Sequence, residues 1–254
     1  MREEHQEKLI KDAEKLAKEQ EKEAEEKAKA AAGPKKDMGF IAVSIGEGVN
    51  EVFNGLGVDY LIEGGQTMNP STEDMLNAID HVNADHIFIF PNNKNIVLAA
   101  NQAASLVEDK DIIVIPTKTI PQGISAMLAV DPEAEQDSEL ALAMLDATKH
   151  VRSGQVTYAA RDSEFDGKKI KQGEYLSLCE GKLCANGKET SVIKKLAREM
   201  VSDDSAFATV IFGEGVTEEQ AAEVENLLHK ENKEMEINVI DGGQPVYYYI
   251  ISVE

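Results

Sequence analysis

The chain carries one unit twice, and that repeat constrains its fold more than any other feature. The first copy reads IAVSIGEGVNEVFNGLGVDYLIEGGQ from Ile41 to Gln66. The second reads ATVIFGEGVTEEQAAEVENLLHKENKEMEINVIDGGQ from Ala208 to Gln244. Each has an apolar run, then Gly-Glu-Gly-Val (46–49 and 213–216), then a helix-like segment. A second apolar run follows and ends in acid-Gly-Gly-Gln (63–66 and 241–244). The spacing differs, with 17 positions from Gly46 to Glu63 and 28 from Gly213 to Asp241. The shared order predicts one supersecondary unit used in two halves of the molecule.

Glycine takes φ > 0 without strain and lets another backbone approach closely. Gly46, Gly48, Gly213 and Gly215, with the pairs Gly64–Gly65 and Gly242–Gly243, are therefore predicted as tight turns the fold requires. A helix that starts after such a turn can also hold an anion on its free N–H groups. That alternative is the weaker one. GEG is not GxGxxG, neither turn holds Lys or Arg, and Glu47 and Glu214 would repel a phosphate.

Between the copies the pattern alternates strand and helix. Ile41–Ser44, Tyr60–Ile62, His86–Phe90 and Asp111–Ile115 read as strands. Helices are predicted over Asn50–Leu56, after a Ser71 cap with Asp74 three residues on, over Ala99–Leu106, from Ile124, and over Ser138–His150. Such alternation predicts a parallel sheet with helices on its faces, and ligands on such sheets sit beyond the carboxyl ends of the strands. Those ends carry GEG, GGQTMNPS, PNNKN and PTKTIPQG. From Val151 the character turns antiparallel. A strand is predicted over Gln155–Ala160, a turn at Asp166-Gly167, a hairpin over Gly173–Cys184, a helix over Ser191–Met200, and a closing strand over Tyr247–Ser252.

Residues 1–32 are nearly all Glu, Lys, Ala and Gln, a strong helix former with only a thin apolar stripe. They predict a solvated linker helix that Gly33-Pro34 ends. The expected architecture is α/β. It has a linker helix and Gly-Pro break over 1–36, a parallel α/β domain over 37–150 and a smaller mixed α/β domain over 151–254.

Composition narrows the function classes. The chain has 254 residues, 42% of them hydrophobic, and no apolar run as long as a membrane span. A net charge of −21 argues against nucleic acid or anionic membrane as a direct partner and is in keeping with a cytoplasmic protein that meets other proteins. Cys179 and Cys184 flank a turn with no His nearby, so reduced strand cysteines are expected rather than zinc ligands. His5, His81, His86, His150 and His229 lie singly, without a neighbouring nucleophile, and the acids show no metal-ligand spacing. No catalytic residue and no metal site are predicted.

The runs IGEGVNEVFNGLGVDYLIEGGQTMNPST, IPTKTIPQGISAMLAVDP and VTYAARDSEFDGKKIKQGEYLSLCEGKL resemble the C-terminal part of the kinase subunit of bacterial fatty acid kinase, a family related to dihydroxyacetone kinase. The resemblance covers about 39–254 and implies a DegV-like fold. It also implies that ATP and Mg bind only in an upstream kinase domain absent from this chain, which itself needs no cofactor. The implied partners are that upstream domain and a DegV-like fatty-acid-binding protein, with a homodimer possible.

In DegV-like proteins the strand-end loops hold the acyl carboxylate through hydroxyls. At the matching places this chain has Thr67, Asn69 and Ser71, then Asn92, Asn93, Lys94 and Asn95, then Thr117, Lys118 and Gln122. Most of the hydroxyls are replaced. Two readings of these ten candidates follow. In the first, the loop rim of the parallel sheet, with Asn92–Asn95 and Thr117–Gln122 foremost, docks the acyl-loaded partner. In the second, Thr67, Ser71 and Lys94 keep a pocket for a fatty acid or another anion. A third reading, a self-contained hydroxyketone kinase, lacks a phosphate-binding motif.

Overall fold

The computed structural model describes residues 33–254 apart from 66, 135 and 166. The predicted linker helix lies outside the described residues. Four parallel strands form the first sheet: β1 (Lys36–Ser44), β2 (Tyr60–Glu63), β3 (Ala84–Phe90) and β4 (Asp111–Val114), in the order β2-β1-β3-β4. The alternation of strands and helices did specify a parallel sheet. Helices α1 (Glu47–Gly55), α2 (Thr72–His81), α3 (Val97–Leu106), α4 (Ile120–Leu128) and α5 (Asp137–His150) connect and follow these strands.

Several helices start earlier than the sequence predicts. α1 starts at Glu47 rather than Asn50, because the glycine turn itself supplies the cap at Gly46 (φ 102°). α4 starts at Ile120 rather than Ile124. Thr119 caps it by accepting from the Gln122 N–H at 3.2 Å, and Pro121 is tolerated in a first turn, where its missing N–H is no loss.

The second sheet has six strands in the order β11-β10-β12-β5-β8-β9. These are β5 (Arg152–Tyr158), β8 (Tyr175–Cys179), β9 (Lys182–Gly187), β10 (Phe207–Phe212), β11 (Glu236–Asp241) and β12 (Tyr249–Val253). A separate small ribbon pairs β6 (Ser163–Phe165) with β7 (Lys168–Ile170). The β8–β9 hairpin turns through Glu180 (φ 50°) and Gly181 (φ 74°), two successive left-handed residues that match the twist of the strands. Every pairing in this sheet is antiparallel except β10–β11. α6 (Glu189–Met200) and α7 (Glu218–Glu231) cover one of its faces.

The repeated unit is thus a parallel βαβ in both halves: β1-α1-β2 and β10-α7-β11. Alternation along β3 sorts the first core. Ile87 and Ile89 pack with Met75 and Ile79 of α2 and Ala100 of α3. Phe88 and Phe90 turn to the other face, where Val49 and Phe53 of α1, Met127 of α4 and Met144 of α5 meet Ile211 and Ile250 of the second sheet. One apolar layer therefore joins the two sheets. Among the described residues no helix is long and apolar enough to cross a membrane.

Candidate functional site

Strand order 2-1-3-4 reverses direction between β1 and β3, so the crevice where such sheets place ligands opens beyond Ser44 and Phe90. The structure fills it with Asn92. This residue holds φ 55°, a left-handed conformation that Asn adopts more readily than most residues. Its Nδ2 donates to the Val43 carbonyl at 2.9 Å, bridging the two strands where their ladder ends. Thr117 closes the other side. The Thr117 hydroxyl donates to Asn92 Oδ1 at 2.8 Å and accepts from the Asn92 N–H at 3.0 Å. A Cβ on Gly123 would collide with the Asn92 amide, so only glycine lets α4 come this close.

The ten candidate residues sort into two groups around this plug. Asn92, Asn93 and Thr117 are buried at 7%, 6% and 1% exposure. Asn93 Oδ1 accepts from the Asn95 N–H at 2.9 Å, shaping the loop from inside. Ser71 caps α2 in a reciprocal box: its hydroxyl accepts from the Asp74 N–H at 3.2 Å and its own N–H donates to Asp74 Oδ2 at 2.7 Å. These bonds hold the Asp74 carboxyl below the usual carboxylate range, the backbone bond contributing most. Gln122 Oε1 accepts from the Lys118 N–H at 2.7 Å. Five side chains keep the loops in shape, and the remaining five point outward: Thr67, Asn69, Lys94, Asn95 and Lys118 are exposed. Met68 (56% exposed) and Leu98 (66%) lie beside them in the chain. No sequence pattern marks these two as apolar rim residues, because a single exposed Met or Leu is ordinary.

A cleft beside the plug is lined by Thr67, Asn93, Lys118, Gln155, Pro245 and Tyr247, among others, and holds about 50 Å³. Ligand pockets for drug-sized molecules run to roughly 300–1,000 Å³. The cleft is far too small to bury an acyl chain.

The repeated glycines act on one another rather than on a ligand. The N–H groups of Gly48 and Val49, at the start of α1, donate to the Gly242 carbonyl of the second copy at 3.1 and 3.3 Å. Two of the donors an anion would use are taken, so this turn joins the two halves. The groove above them is lined by Glu47, Glu51, Glu63 and Glu214, with no basic side chain among its lining residues, and is hostile to phosphate.

Among the described residues, His81, His150 and His229 each meet one polar partner, His150 lying 3.4 Å from Asp146 Oδ2, and His86 departs from the sequence reading. His81 Nδ1 lies 2.6 Å from the Asn77 carbonyl and His229 Nε2 3.0 Å from that of Met235. His86 instead meets two acids, Asp111 and Asp137, that lie far from it in sequence, so no local spacing could have shown the cluster. Cys179 and Cys184 are free thiols, and burial pushes both above the ordinary thiol pKa.

The two-sheet arrangement with its switch-point loops defines a DegV-like α/β protein. Solved structures agree. A DegV family protein from Corynebacterium glutamicum superposes with a TM-score of 0.61 at 14% identity, covering 85% of this chain and 96% of that one. The Streptococcus pneumoniae Fatty Acid Kinase (Fak) B3 protein loaded with linoleic acid gives 0.56 at 10% identity over 86% and 99%. Residues 39–254 match the FakA-like C-terminal family of fatty acid kinase, and the chain belongs to that family. Among relatives, protein YloV of Bacillus subtilis (strain 168) is 44% identical over 87% of this chain and 40% of its own length. A Staphylococcus aureus protein (strain bovine RF122 / ET3-1) is 39% identical over 100% of this chain and 44% of its own. The chain thus spans less than half the length of these relatives.

Proposed function

We propose that this chain is the part of a fatty acid kinase that docks an acyl-loaded, DegV-like binding protein, so that the acyl carboxylate reaches a kinase domain elsewhere in the longer protein. ATP and Mg would bind in that kinase domain. The observation that carries the reading is the Asn92 plug. It occupies the switch-point crevice and leaves a cleft of about 50 Å³, so the loops keep the position of a ligand site without its volume. What they offer outward is a mixed surface of Thr67, Asn69, Lys94, Asn95 and Lys118 with Met68 and Leu98, which suits a polar rim around small apolar anchors.

Calorimetric titration with the acyl-loaded protein, and separately with oleate, tests this. Docking predicts binding to the protein and none to oleate. The double substitution Lys94→Glu, Lys118→Glu should weaken the complex at least about tenfold while leaving thermal stability unchanged, since rim charges act chiefly on encounter and orientation. An unaltered complex removes this rim from the interface. Thr67 and Lys118 at the mouth of the cleft favour a second reading, a site for a carboxylate head alone. Binding of oleate that is lost in Lys118→Glu would replace the docking reading with that one.

A further inference from the structure

At the opposite end of the parallel sheet three side chains converge from three elements. His86 lies near the start of β3 and Asp111 is the first residue of β4. The two are register partners on adjacent strands, so their side chains emerge side by side. His86 shares the face of Phe88 and Phe90, the face on which α5 packs, and Asp137 is the first residue of α5. His86 Nδ1 is 3.4 Å from Asp111 Oδ2 and also against Asp137 Oδ2. One donor atom from each residue lies within 4.8 Å of the other two. Nδ1 is shut off from solvent, yet it makes no hydrogen bond of good geometry to either carboxylate. A ring nitrogen shut off from solvent thus faces two carboxylate oxygens at once, more than a single N–H can serve.

The surroundings favour a cation. Asp85, Glu108 and Asp109 line the same open depression of about 340 Å³. Its one lysine is turned away, with the Lys110 ammonium donating to the carbonyls of Ile79 at 3.1 Å and Val82 at 2.9 Å. Lys35 pairs with Asp85 at 2.6 Å, which leaves Glu108 and Asp109 to add negative potential.

We infer that His86, Asp111 and Asp137 form a site for one divalent transition-metal ion of the zinc type, which ties the start of α5 to the edge of the parallel sheet. Zinc bonds of about 2.0–2.2 Å put tetrahedral ligand atoms roughly 3.3–3.5 Å apart, which matches the His86–Asp111 spacing and requires the Asp137 carboxylate, now in contact with His86, to shift outward. An imidazole with two carboxylates suits zinc, cobalt or nickel, and water entering through the depression completes the coordination. Magnesium, which prefers an all-oxygen octahedron, should compete poorly.

The test is titration of the chelator-treated protein with Zn²⁺ alone, in the absence and presence of millimolar Mg²⁺. One saturating micromolar site is expected, insensitive to Mg²⁺ and lost in His86→Ala. Asp111 is an exposed side chain whose change to Asn leaves packing intact, so Asp111→Asn should keep the native melting temperature of the metal-free protein and bind at least about tenfold more weakly. The Cys179→Ser, Cys184→Ser double variant should bind as the parent does. No micromolar site, an unchanged site in Asp111→Asn, or a site lost with the cysteines instead would each overturn the assignment and leave an ion pair of His86 with the two acids.

Discussion

The two copies of the βαβ unit share their motifs and differ in what they do with them. In the first, GEG lies at the helix start. Gly46 caps α1 without a side-chain bond, and Gly48 sits so close to Asp241 of the second copy that a Cβ would overlap its carbonyl oxygen. In the second, Gly213 packs on the backbone of Gln244 and Tyr247 in its own half, and the second glycine is open. Gly215 adopts φ 80° with open space around it, and α7 begins only at Glu218, directly after the Thr217 cap that shares a capping box with Gln220. The same motif therefore joins the two halves in one copy and packs within its own half in the other. A motif's chemistry is set by what packs on it, and here the first copy's helix start packs on the second copy's carbonyl.

The largest expected effect comes from matched substitutions of the second glycine in each GEG. Gly48→Ala forces backbone apart at the junction and should cost about 3 kcal/mol or more. Gly215→Ala meets only the left-handed backbone penalty of about 1–2 kcal/mol. Urea unfolding of the two variants checks this, and equal losses would break the asymmetry.

Gln244 comes next. Its Nε2 donates to the carbonyls of Ile211 at 3.1 Å and Tyr247 at 3.3 Å from a buried position. Gln244→Ala leaves those carbonyls short of a donor and should cost about 2 kcal/mol in the same assay.

The smallest effect sharpens the comparison through pH. The helix after the first unit is capped by Ser71 with a carboxylate, Asp74, and the second unit's helix by Thr217 with an amide, Gln220. Either cap changed to Ala should cost about 1 kcal/mol at neutral pH. The Asp74 pKa is lowered on folding, so its share of the box is present above the unfolded value of about 3.9 and is lost as pH falls through the folded one. The Ser71→Ala penalty should therefore shrink on acidification; Thr217→Ala is no flat reference, because the Thr217 hydroxyl also helps to hold the Glu219 carboxyl below its usual range. Melting Ser71→Ala against the parent across that window decides it, and a constant penalty would show that Asp74 plays no part.

Much of the fold was legible in the sequence because its signals are local. The GEGV and GGQ glycines, the alternation of Phe88 and Phe90 with Ile87 and Ile89, and the Ser71 and Asp74 pair act within a few residues. Helix starts were less legible, since a glycine cap such as Gly46 has no side-chain signature. The strand-end loops were also placed by the sequence, but not the division of labour inside them. Asn92, Asn93 and Asn95 look alike in the chain, yet the first two are buried and the third is exposed.

The sequence by itself determined the repeated unit, the parallel first sheet and the loops gathered at its carboxyl edge, because periodicity and turn chemistry fix elements one at a time. Only the tertiary structure decided that Gly242 would satisfy the start of α1, that Asn92 would close the crevice by reaching Val43, and that His86 would meet Asp111 and Asp137. Those contacts join residues far apart in the chain. Sheet order and helix packing bring them together, and no local pattern encodes either.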